Sequence, residues 1–398
     1  MPTYHQRVKQ FQKPIGSQLG QLDLELTERC NNDCIHCCIN LPAHDANTRA
    51  REMTTAQIKD ILHQAADLGC LRVRFTGGEP LLRPDFEELY LFARRLGMKV
   101  LLFTNARLIT EHLADLFARI PPRVEIEITV YGMTRESYEA VSRAPGSFAQ
   151  FWRGVHLLLE RNIPFIVKQS LLPPNRNELD QFEAWAKTIP WMKKRPGYAM
   201  NFDLRNRRDD EAKNRAVAAM RFSPDETIAL LARDEAKYRK NMDEFRAKKF
   251  MGAPGDKLFN CGACAGRSGC VDAYGRLQPC MGMRAPELTI DLLNGKGEGE
   301  QGRGEDPTNH PTTKLRDALG NFPALHELRA TSPEYLRRCA QCFLKGLCEQ
   351  CPAKAWAETG TLDTPVEYLC AVAHAQARYL GWLGENEYGW EKKMRDER

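Results

Sequence analysis

The stretch Glu28–Cys38, "ERCNNDCIHCC", places four of the chain's cysteines on one short segment. Three of them, Cys30, Cys34 and Cys37, have the spacing C-x3-C-x2-C. Clustered thiolates are ligands for zinc or for an iron–sulfur cluster, and three of them leave one coordination position open. The spacing therefore predicts a metal site, whereas Cys38 falls outside it and is expected to pack as a small buried residue.

Apolar, strand-like runs alternate with amphipathic helical stretches from residue 22 to about residue 204, and the cysteine segment follows the first run. Six runs have the composition of buried strands: 22–26, 72–77, 99–105, 124–130, 164–172 and 198–204. Strands separated by helices predict an α/β fold with a parallel sheet and crossover helices. Such sheets carry their chemistry at the carboxyl ends of the strands, which is where the cysteine segment lies.

Composition excludes several classes of protein. The chain has 398 residues, of which 42% are hydrophobic and 27% are charged. No apolar run approaches the roughly 18 residues of a membrane span, and the polar N-terminus lacks the apolar core of a secretion signal. The net charge of +5 is a weak excess that calls for no nucleic acid. We therefore expect a cytoplasmic protein with neither a membrane nor a nucleic acid as partner.

The fourteen cysteines are grouped along the chain, at 30–38, 261–280 and 339–351, with Cys70 and Cys370 apart. Disulfides are disfavoured in a reducing compartment, so clustered thiols indicate metal or redox sites. Together with the strand pattern, the grouping predicts five parts. They are an N-terminal extension (1–21), an α/β core (22–208), a helical connector (209–258), a cysteine-rich domain (259–375) containing a mobile loop (294–314), and a C-terminal tail (376–398).

The C-x3-C-x2-C spacing, followed by "GGEP" (77–80) after the second strand, resembles the radical S-adenosylmethionine (SAM) superfamily. The resemblance implies a partial (β/α)6 barrel in which Cys30, Cys34 and Cys37 hold a 4Fe-4S cluster whose open iron binds SAM. Reductive cleavage of SAM then yields a 5'-deoxyadenosyl radical that abstracts a substrate hydrogen. His36 would flank the cluster, and the two glycines would let the backbone approach a ligand closely. The implied SAM contacts are Gly77, Gly78, Glu79, Pro80, Thr104, Asn105, Thr129, Lys168 and Asn175.

The later cysteines resemble the SPASM domain, which follows the core in peptide-modifying members of the superfamily and carries two auxiliary 4Fe-4S clusters. One departure is that two residues separate Cys348 from Cys351, where the family usually has three. A pair of zinc sites is the structural alternative, because C-x2-C pairs also occur in zinc ribbons. The resemblance implies one cluster on Cys339, Cys342, Cys348 and Cys370, and a second on Cys280, Cys351 and two of Cys261, Cys264 and Cys270.

The resemblance also suggests an oxidoreductase acting on a peptide or protein side chain. Met281 stands where the formylglycine-forming maturases have an aspartate, so a different peptide modification is favoured. Only about 20 residues precede the first strand-like run, and we therefore expect any leader peptide to be bound by a separate partner protein. The electron donor would be a flavodoxin or ferredoxin.

Three further points stay open at the level of sequence. Candidate catalytic or radical-path residues are Tyr131, Glu127, Asp203, Arg205 and Tyr274, each of which also has an ordinary structural explanation. The substrate could instead be a small molecule in a cofactor pathway. A non-catalytic iron–sulfur or zinc scaffold is the third alternative.

Overall fold

The computed structural model describes residues 19–249, 255–261, 267–294 and 314–392. They divide into two compact units, the first within Met1–Ala199 and Cys261–Pro323, and the second within Met200–Asn260 and Ala324–Arg398. Most of the predicted N-terminal extension and loop 294–314, together with Cys264 and the end of the predicted tail, lie outside the described residues. None of the described helices is both long enough and apolar enough to span a bilayer.

The strands are β1 (Gln21–Thr27), β2 (Arg29–Cys30), β3 (Leu41–Pro42), β4 (Arg72–Gly77), β5 (Lys99–Thr104), β6 (Ile126–Val130), β7 (Phe165–Ser170), β8 (Gly197–Ala199), β9 (Ser268–Val271), β10 (Arg276–Gln278) and β11 (Ile290–Asp291). The helices of the first unit are α1 (Ala46–Arg51), α2 (Thr55–Asp67), α3 (Phe86–Arg95), α4 (Glu111–Arg119), α5 (Arg135–Ser142), α6 (Ser147–Glu160), α7 (Leu179–Ala186) and α11 (Leu315–Leu319). Those of the second unit are α8 (Glu211–Ala219), α9 (Pro224–Leu231), α10 (Glu235–Lys249), α12 (Pro333–Arg337), α13 (Pro352–Thr359) and α14 (Glu367–Tyr379).

One large sheet organises the first unit, in the strand order β11-β10-β9-β1-β4-β5-β6-β7-β8. Strands β1 and β4 to β8 are adjacent, parallel and in chain order. Helices occupy most of the connections, as crossovers between neighbouring parallel strands require. The predicted α/β fold with a parallel sheet is confirmed.

Apolar and polar side chains alternate along the strands and therefore lie on opposite faces of this sheet. In β1, Leu22, Leu24 and Leu26 are fully buried on one face, while Asp23 and Glu25 alternate with them and therefore point to the other. Crossover helices such as α2, which begins with a capping box at Thr54, supply buried apolar side chains. The face that carries the acidic residues is thereby left for polar chemistry.

The sheet differs from the sequence expectation at both ends. Strand β8 spans Gly197–Ala199 and so covers only the first two residues of the run predicted at 198–204, because the chain enters the second unit at Met200. On the other side, β9 pairs in parallel with β1, opposite Asp23 at Cys270. The start of the predicted cysteine-rich domain thus extends the sheet of the first unit, a long-range pairing that local sequence patterns do not encode.

Hydrogen bonds join the two sequence segments of the second unit. The Tyr368 hydroxyl donates to Asn201 Oδ1 and to the Phe222 carbonyl, both at 3.1 Å. Arg221 pairs with Glu358 at 2.6 Å. The three helices α8 to α10 occupy the stretch for which a helical connector is predicted, while the domain boundaries themselves remain predictions.

Candidate functional site

The segment with Cys30, Cys34 and Cys37 leaves the carboxyl end of β1 and is held by its backbone. Asp33 N–H donates to the Ser142 carbonyl at 2.9 Å, and Ile35 N–H donates to the Val141 carbonyl at 3.0 Å. Cys34 is buried, whereas the other two thiols are partly exposed. The three predicted ligands are thus presented together on one short, anchored loop.

The "GGEP" turn follows β4 and packs directly against this cysteine loop. Gly77 has φ +119°, and a Cβ on Gly77 would lie 2.1 Å from the Thr27 carbonyl oxygen. A Cβ on Gly78 would lie 2.2 Å from the Arg29 carbonyl oxygen. The turn then bonds to the loop, because Gly78 N–H donates to Thr27 O at 2.7 Å and Glu79 N–H donates to Arg29 O at 2.9 Å. The close approach that requires the glycines is therefore made to the backbone of the cysteine loop, while the contact of Gly77 and Gly78 with SAM stays a prediction.

Glu79 is a buried carboxylate at the centre of this turn. It accepts hydrogen bonds from Leu81 N–H at 3.1 Å, Thr104 Oγ1 at 2.9 Å and Asn105 N–H at 2.8 Å. Burial nevertheless raises the pKa of Glu79 to about 7, against the opposing effect of these donors. Pro80 begins the short turn that Glu79 caps, so four predicted site residues, Glu79, Pro80, Thr104 and Asn105, meet here.

Arg107 braces the cysteine loop from the third parallel strand. Its guanidinium donates to the Asn31 carbonyl, to Asn32 Oδ1 and to Gln150 Oε1. Asn105 completes the brace, since its Nδ2 donates to Asn31 Oδ1 at 2.7 Å and its Oδ1 accepts from Arg107 N–H at 3.0 Å. The sequence pattern does not identify Arg107 as a site residue. The only indication in the sequence is that Arg107 follows the predicted "TN" strand end by two residues.

Two aromatic rings lie beside the cysteine loop. The rings of His36 and Tyr131 are 5.9 Å apart, and Tyr131 meets Tyr138 edge-on at 5.4 Å. Burial, together with the nearby Cys34 and Cys30 thiols, raises the pKa of Tyr131 well above its usual value. Tyr131 is thus a candidate radical-path residue that lies near two predicted cluster ligands.

The polar face of the sheet carries charged pairs around one aromatic ring. Lys168 Nζ lies 2.7 Å from Glu127 Oε1, and Arg74 Nη1 lies 2.8 Å from Asp23 Oδ2. Arg74 and Lys168 approach the ring of Phe103, at 4.8 and 5.8 Å from its centroid. Half of the Lys168 side chain is exposed, so this face is accessible to a polar ligand.

Two further predicted SAM contacts lie near β6 and β7. Thr129 pairs in register with Lys168. Asn175 is fully buried, and its Nδ2 donates to the Tyr131 and Ser170 carbonyls at 2.7 and 2.8 Å. Because its Oδ1 also accepts from Leu172 N–H at 2.8 Å, Asn175 holds backbone in place, and its contact with SAM remains a prediction.

The other catalytic candidates lie in different surroundings. Asp203 and Arg205 belong to the second unit, where Arg205 Nε bonds to Asp209 Oδ1 at 2.7 Å and Asp203 faces Lys354 at 3.5 Å. In the first unit, the Tyr274 hydroxyl donates to Glu28 Oε2 at 2.7 Å. These contacts are those of structural ion pairs and hydrogen bonds.

The cysteines at 261–280 belong to the first unit and have unequal environments. Cys280 is partly buried, and its pKa is raised by burial and by the nearby Cys261 thiol. Cys270 is fully buried within β9, with its Sγ 3.8 Å from Glu25 Oε1. Burial, together with Glu25, raises the pKa of Cys270 well above its usual value. The Cys261 thiol thus lies close enough to raise the pKa of Cys280, whereas carboxylates and Arg284 surround Cys270.

Four cysteines of the second unit line one pocket of about 430 Å³, part of which is open to solvent. They come from different segments: Cys339 follows α12, Cys342 and Cys348 flank a short turn, and Cys370 lies on α14. Among the residues that the structure describes, no three Cys, His, Asp or Glu side chains are grouped closely enough to share one metal ion. The pocket nevertheless brings together the set predicted for one auxiliary cluster, and Cys351 does not line it.

Known proteins match the chain in sequence. The model of the Radical SAM superfamily matches residues 24–189. The AdoMet-dependent heme synthase of Methanosarcina barkeri is 25% identical over 351 residues, which are 84% of this chain and 92% of that protein. The mycofactocin maturase MftC of Mycobacterium tuberculosis is 33% identical over 183 residues, 45% of this chain and 44% of the maturase. The chain thus aligns with less than half of that maturase.

Solved structures share the fold. The structure of anSMEcpe with bound AdoMet matches with a TM-score of 0.58 at 14% identity, over 90% of this chain and 96% of that one. Streptococcus suis SuiB bound to S-adenosylmethionine matches with a TM-score of 0.53 at 14% identity, over 92% of this chain and 78% of that one. The sequence match covers the cysteine loop and the "GGEP" turn, so residues 24–189 carry a radical SAM domain.

Proposed function

We propose that this radical SAM enzyme oxidises or crosslinks a peptide or protein side chain after hydrogen abstraction. The observation that carries the proposal is the anchored loop with Cys30, Cys34 and Cys37, packed against the buried Glu79 turn. These thiols would hold the 4Fe-4S cluster, which when bound supplies the electron that cleaves SAM. The partly exposed Cys30 and Cys37 beside a buried Cys34 suit a cluster with one iron open to a ligand.

The residues around Glu79 would bind the amino acid portion of SAM. A carboxylate held by Leu81, Thr104 and Asn105 has a fixed orientation, and it would accept a hydrogen bond from the SAM amino group. Gly77 and Gly78 would fix the distance between this carboxylate and the cysteine loop. Thr129 and Lys168, at the ends of neighbouring strands, are proposed contacts for the remainder of SAM.

We expect the affinity for SAM to rise with pH as Glu79 loses its proton. The Glu79 pKa of about 7 means that, near neutrality, a sizeable fraction of the protein carries the neutral acid, which attracts an amino group less strongly than the carboxylate does. Measured by calorimetry on the reconstituted protein, the dissociation constant should fall by up to about tenfold per pH unit below about pH 7 and level off above it.

Glu79→Gln isolates this effect from the titration of SAM itself. The variant should bind SAM more weakly and lose the part of the pH dependence that the carboxyl carries. Glu87→Gln, a change in the first turn of helix α3, should behave as the unmodified protein. An identical pH dependence in Glu79→Gln would contradict the role of Glu79.

A peptide substrate is supported by the polar face of the sheet and by the relatives. The charged pairs Asp23–Arg74 and Glu127–Lys168 present both signs of charge around Phe103, a lining that suits a polar chain with ionic side chains better than a wholly apolar substrate. The PqqA peptide cyclase of Gluconobacter oxydans and anSMEcpe, which has been solved with the Cp18Cys peptide, are among the similar proteins that are described with a peptide. A separate leader-binding protein, a flavodoxin or ferredoxin as electron donor, and a cytoplasmic location belong to the same proposal.

A small-molecule substrate is the second candidate. The match with the heme synthase covers 92% of that relative, a far larger share than the match with the mycofactocin maturase covers. The two candidates differ in what the protein should bind, since a carboxylated macrocycle and a peptide have different sizes and charges. Competition for binding between these two ligand classes would separate them.

The auxiliary cysteines are proposed to divide into two sets. Cys339, Cys342, Cys348 and Cys370 would hold one 4Fe-4S cluster, because they line a single pocket. Cys280 and Cys261 would belong to the second. Cys270 is the thiol left over, since it is buried in β9 beside Glu25.

Cys270 and Cys280 offer a matched test of this division. Cys270→Ala should retain the full iron content, because a buried strand thiol contributes packing only, at a cost of about 1 kcal/mol. Cys280→Ala should lose up to about four irons per chain. Iron and sulfide analysis after anaerobic reconstitution measures both, and loss of iron from Cys270→Ala alone would reverse the assignment.

The overall proposal is tested by reconstituting the full chain with iron and sulfide under anaerobic conditions. About twelve irons per chain and reductive release of 5'-deoxyadenosine from SAM are expected. Zinc in place of iron after purification under anaerobic conditions, with no cleavage of SAM, would instead support a scaffold. Mass spectrometry of candidate precursor peptides would then identify the bond that is formed.

A further inference from the structure

We propose that Arg338 raises the reduction potential of the cluster held by Cys339, Cys342, Cys348 and Cys370, through a hydrogen bond to the sulfur of Cys370. The inference rests on the proposed function, because it requires a cluster in that pocket. It adds a role for a residue that the cysteine pattern does not include. It also distinguishes Cys370 from the other three thiols.

The guanidinium of Arg338 contacts the predicted ligand directly. Its Nη2 lies 3.2 Å from Cys370 Sγ, well within the range of hydrogen bonds to sulfur. Only 11% of the Arg338 side chain is exposed, and the residue lines the pocket itself. An N–H donor of a largely buried side chain is thus held against the ligand sulfur.

Three neighbours fix the orientation of this guanidinium. Glu367 accepts two hydrogen bonds from Arg338, at 2.6 and 3.0 Å, and Glu334 accepts one at 3.0 Å. The guanidinium lies over the Trp390 ring, 4.6 Å from its centroid. A guanidinium that makes two hydrogen bonds to one carboxylate and lies on an aromatic ring has little freedom to move away from the Cys370 sulfur.

His374 supplies a second side-chain donor to the same residue. Its Nε2 accepts from Gly389 N–H at 3.0 Å, which leaves the ring proton on Nδ1. That nitrogen lies 2.8 Å from the Cys370 carbonyl oxygen and 3.5 Å from Cys370 Sγ.

The expected effect on the cluster follows from charge. Reduction from the 2+ to the 1+ state adds one electron, and a hydrogen bond from a cation to a ligand sulfur stabilises the state with more negative charge. Arg338 therefore favours the reduced form. A higher potential suits a cluster that accepts one electron from a substrate radical, while the radical loses one proton to become a closed-shell product.

The test is a redox titration followed by electron paramagnetic resonance on the full chain, with Cys30, Cys34 and Cys37 replaced by alanine. This triple variant lacks the SAM-binding cluster. The paramagnetic signal that disappears when Cys342 is also replaced belongs to the cluster held by Cys339, Cys342, Cys348 and Cys370. Arg338→Gln should lower the midpoint potential, by about 59 mV for a tenfold change in the one-electron equilibrium constant. Arg338→Lys keeps the charge but loses the paired hydrogen bonds to Glu367. This variant should lower the midpoint potential by less than Arg338→Gln does.

Arg337→Gln is the matched control. Arg337 adjoins Arg338 and also pairs with Glu334, but 66% of its side chain is exposed, so its replacement should leave the potential unchanged. An equal potential in Arg338→Gln and Arg337→Gln, with full iron content, would overturn the role of Arg338. If replacing Cys342 removes no signal, the ligand set fails instead, which separates the two hypotheses.

Discussion

Replacing Cys34 by alanine should abolish the release of 5'-deoxyadenosine from SAM and lower the iron content from about twelve to about eight per chain. Cys34 is the buried member of the three-thiol loop, and the loop backbone around it is bonded at Asp33 and Ile35. Alanine supplies no ligand atom, so the loop would keep only two of the three thiols that the spacing assigns to the cluster. Chromatography of the reaction mixture after reduction measures the nucleoside, and iron analysis measures the cluster.

Cys38→Ala is the control that the same segment provides. Cys38 differs from Cys37 by one position but falls outside the C-x3-C-x2-C spacing, so this variant should retain cleavage and iron. If Cys34→Ala cleaved SAM as the unmodified protein does, the first cluster would not be held by this loop. If Cys38→Ala lost iron, the spacing would have been assigned to the wrong thiols.

The parallel sheet could be predicted because its signals are local. "RVRFTG" reads as a buried strand between two helical stretches, and β4 spans the same residues, Arg72–Gly77. Polar residues directly after such strands, including Thr104 and Asn105, could be placed at the same edge for the same reason. Local patterns thus placed Thr104 and Asn105 at the sheet edge that also carries Glu79, whereas their hydrogen bonds to it come from the structure.

Contacts between distant segments could not be predicted in the same way. Arg107 reaches Asn31 and Asn32 only after two parallel strands have paired, and the strand at Ser268–Val271 joins β1 across more than half of the chain. The assignment of Cys270 depended on that second pairing, because its spacing alone left it equivalent to Cys261 and Cys264. Burial beside Glu25 is the observation that separates it from Cys261, which is exposed.

Replacing Gly78 by alanine should separate the "GGEP" turn from the cysteine loop and eliminate SAM binding. The added Cβ would lie 2.2 Å from the Arg29 carbonyl oxygen and 2.6 Å from the Glu28 carbonyl oxygen, both of which are backbone atoms that cannot rotate away. Overpacking, together with two weakened hydrogen bonds from Gly78 and Glu79, should cost about 3 kcal/mol of unfolding free energy. Denaturant unfolding of the protein without iron measures this cost, and calorimetry on the reconstituted variant measures SAM binding.

Stability and SAM binding should both fall because the contact between the "GGEP" turn and the backbone of the cysteine loop serves two purposes. It closes the loop that presents the thiols, and it sets where the Glu79 carboxylate lies relative to them. Gly20→Ala is the matched control, because its Cβ would meet only the Arg267 carbonyl oxygen, at 3.5 Å, and it should change neither stability nor binding. A Gly78→Ala variant that was as stable as Gly20→Ala and bound SAM equally well would show that the glycine pair is not what holds the two motifs together.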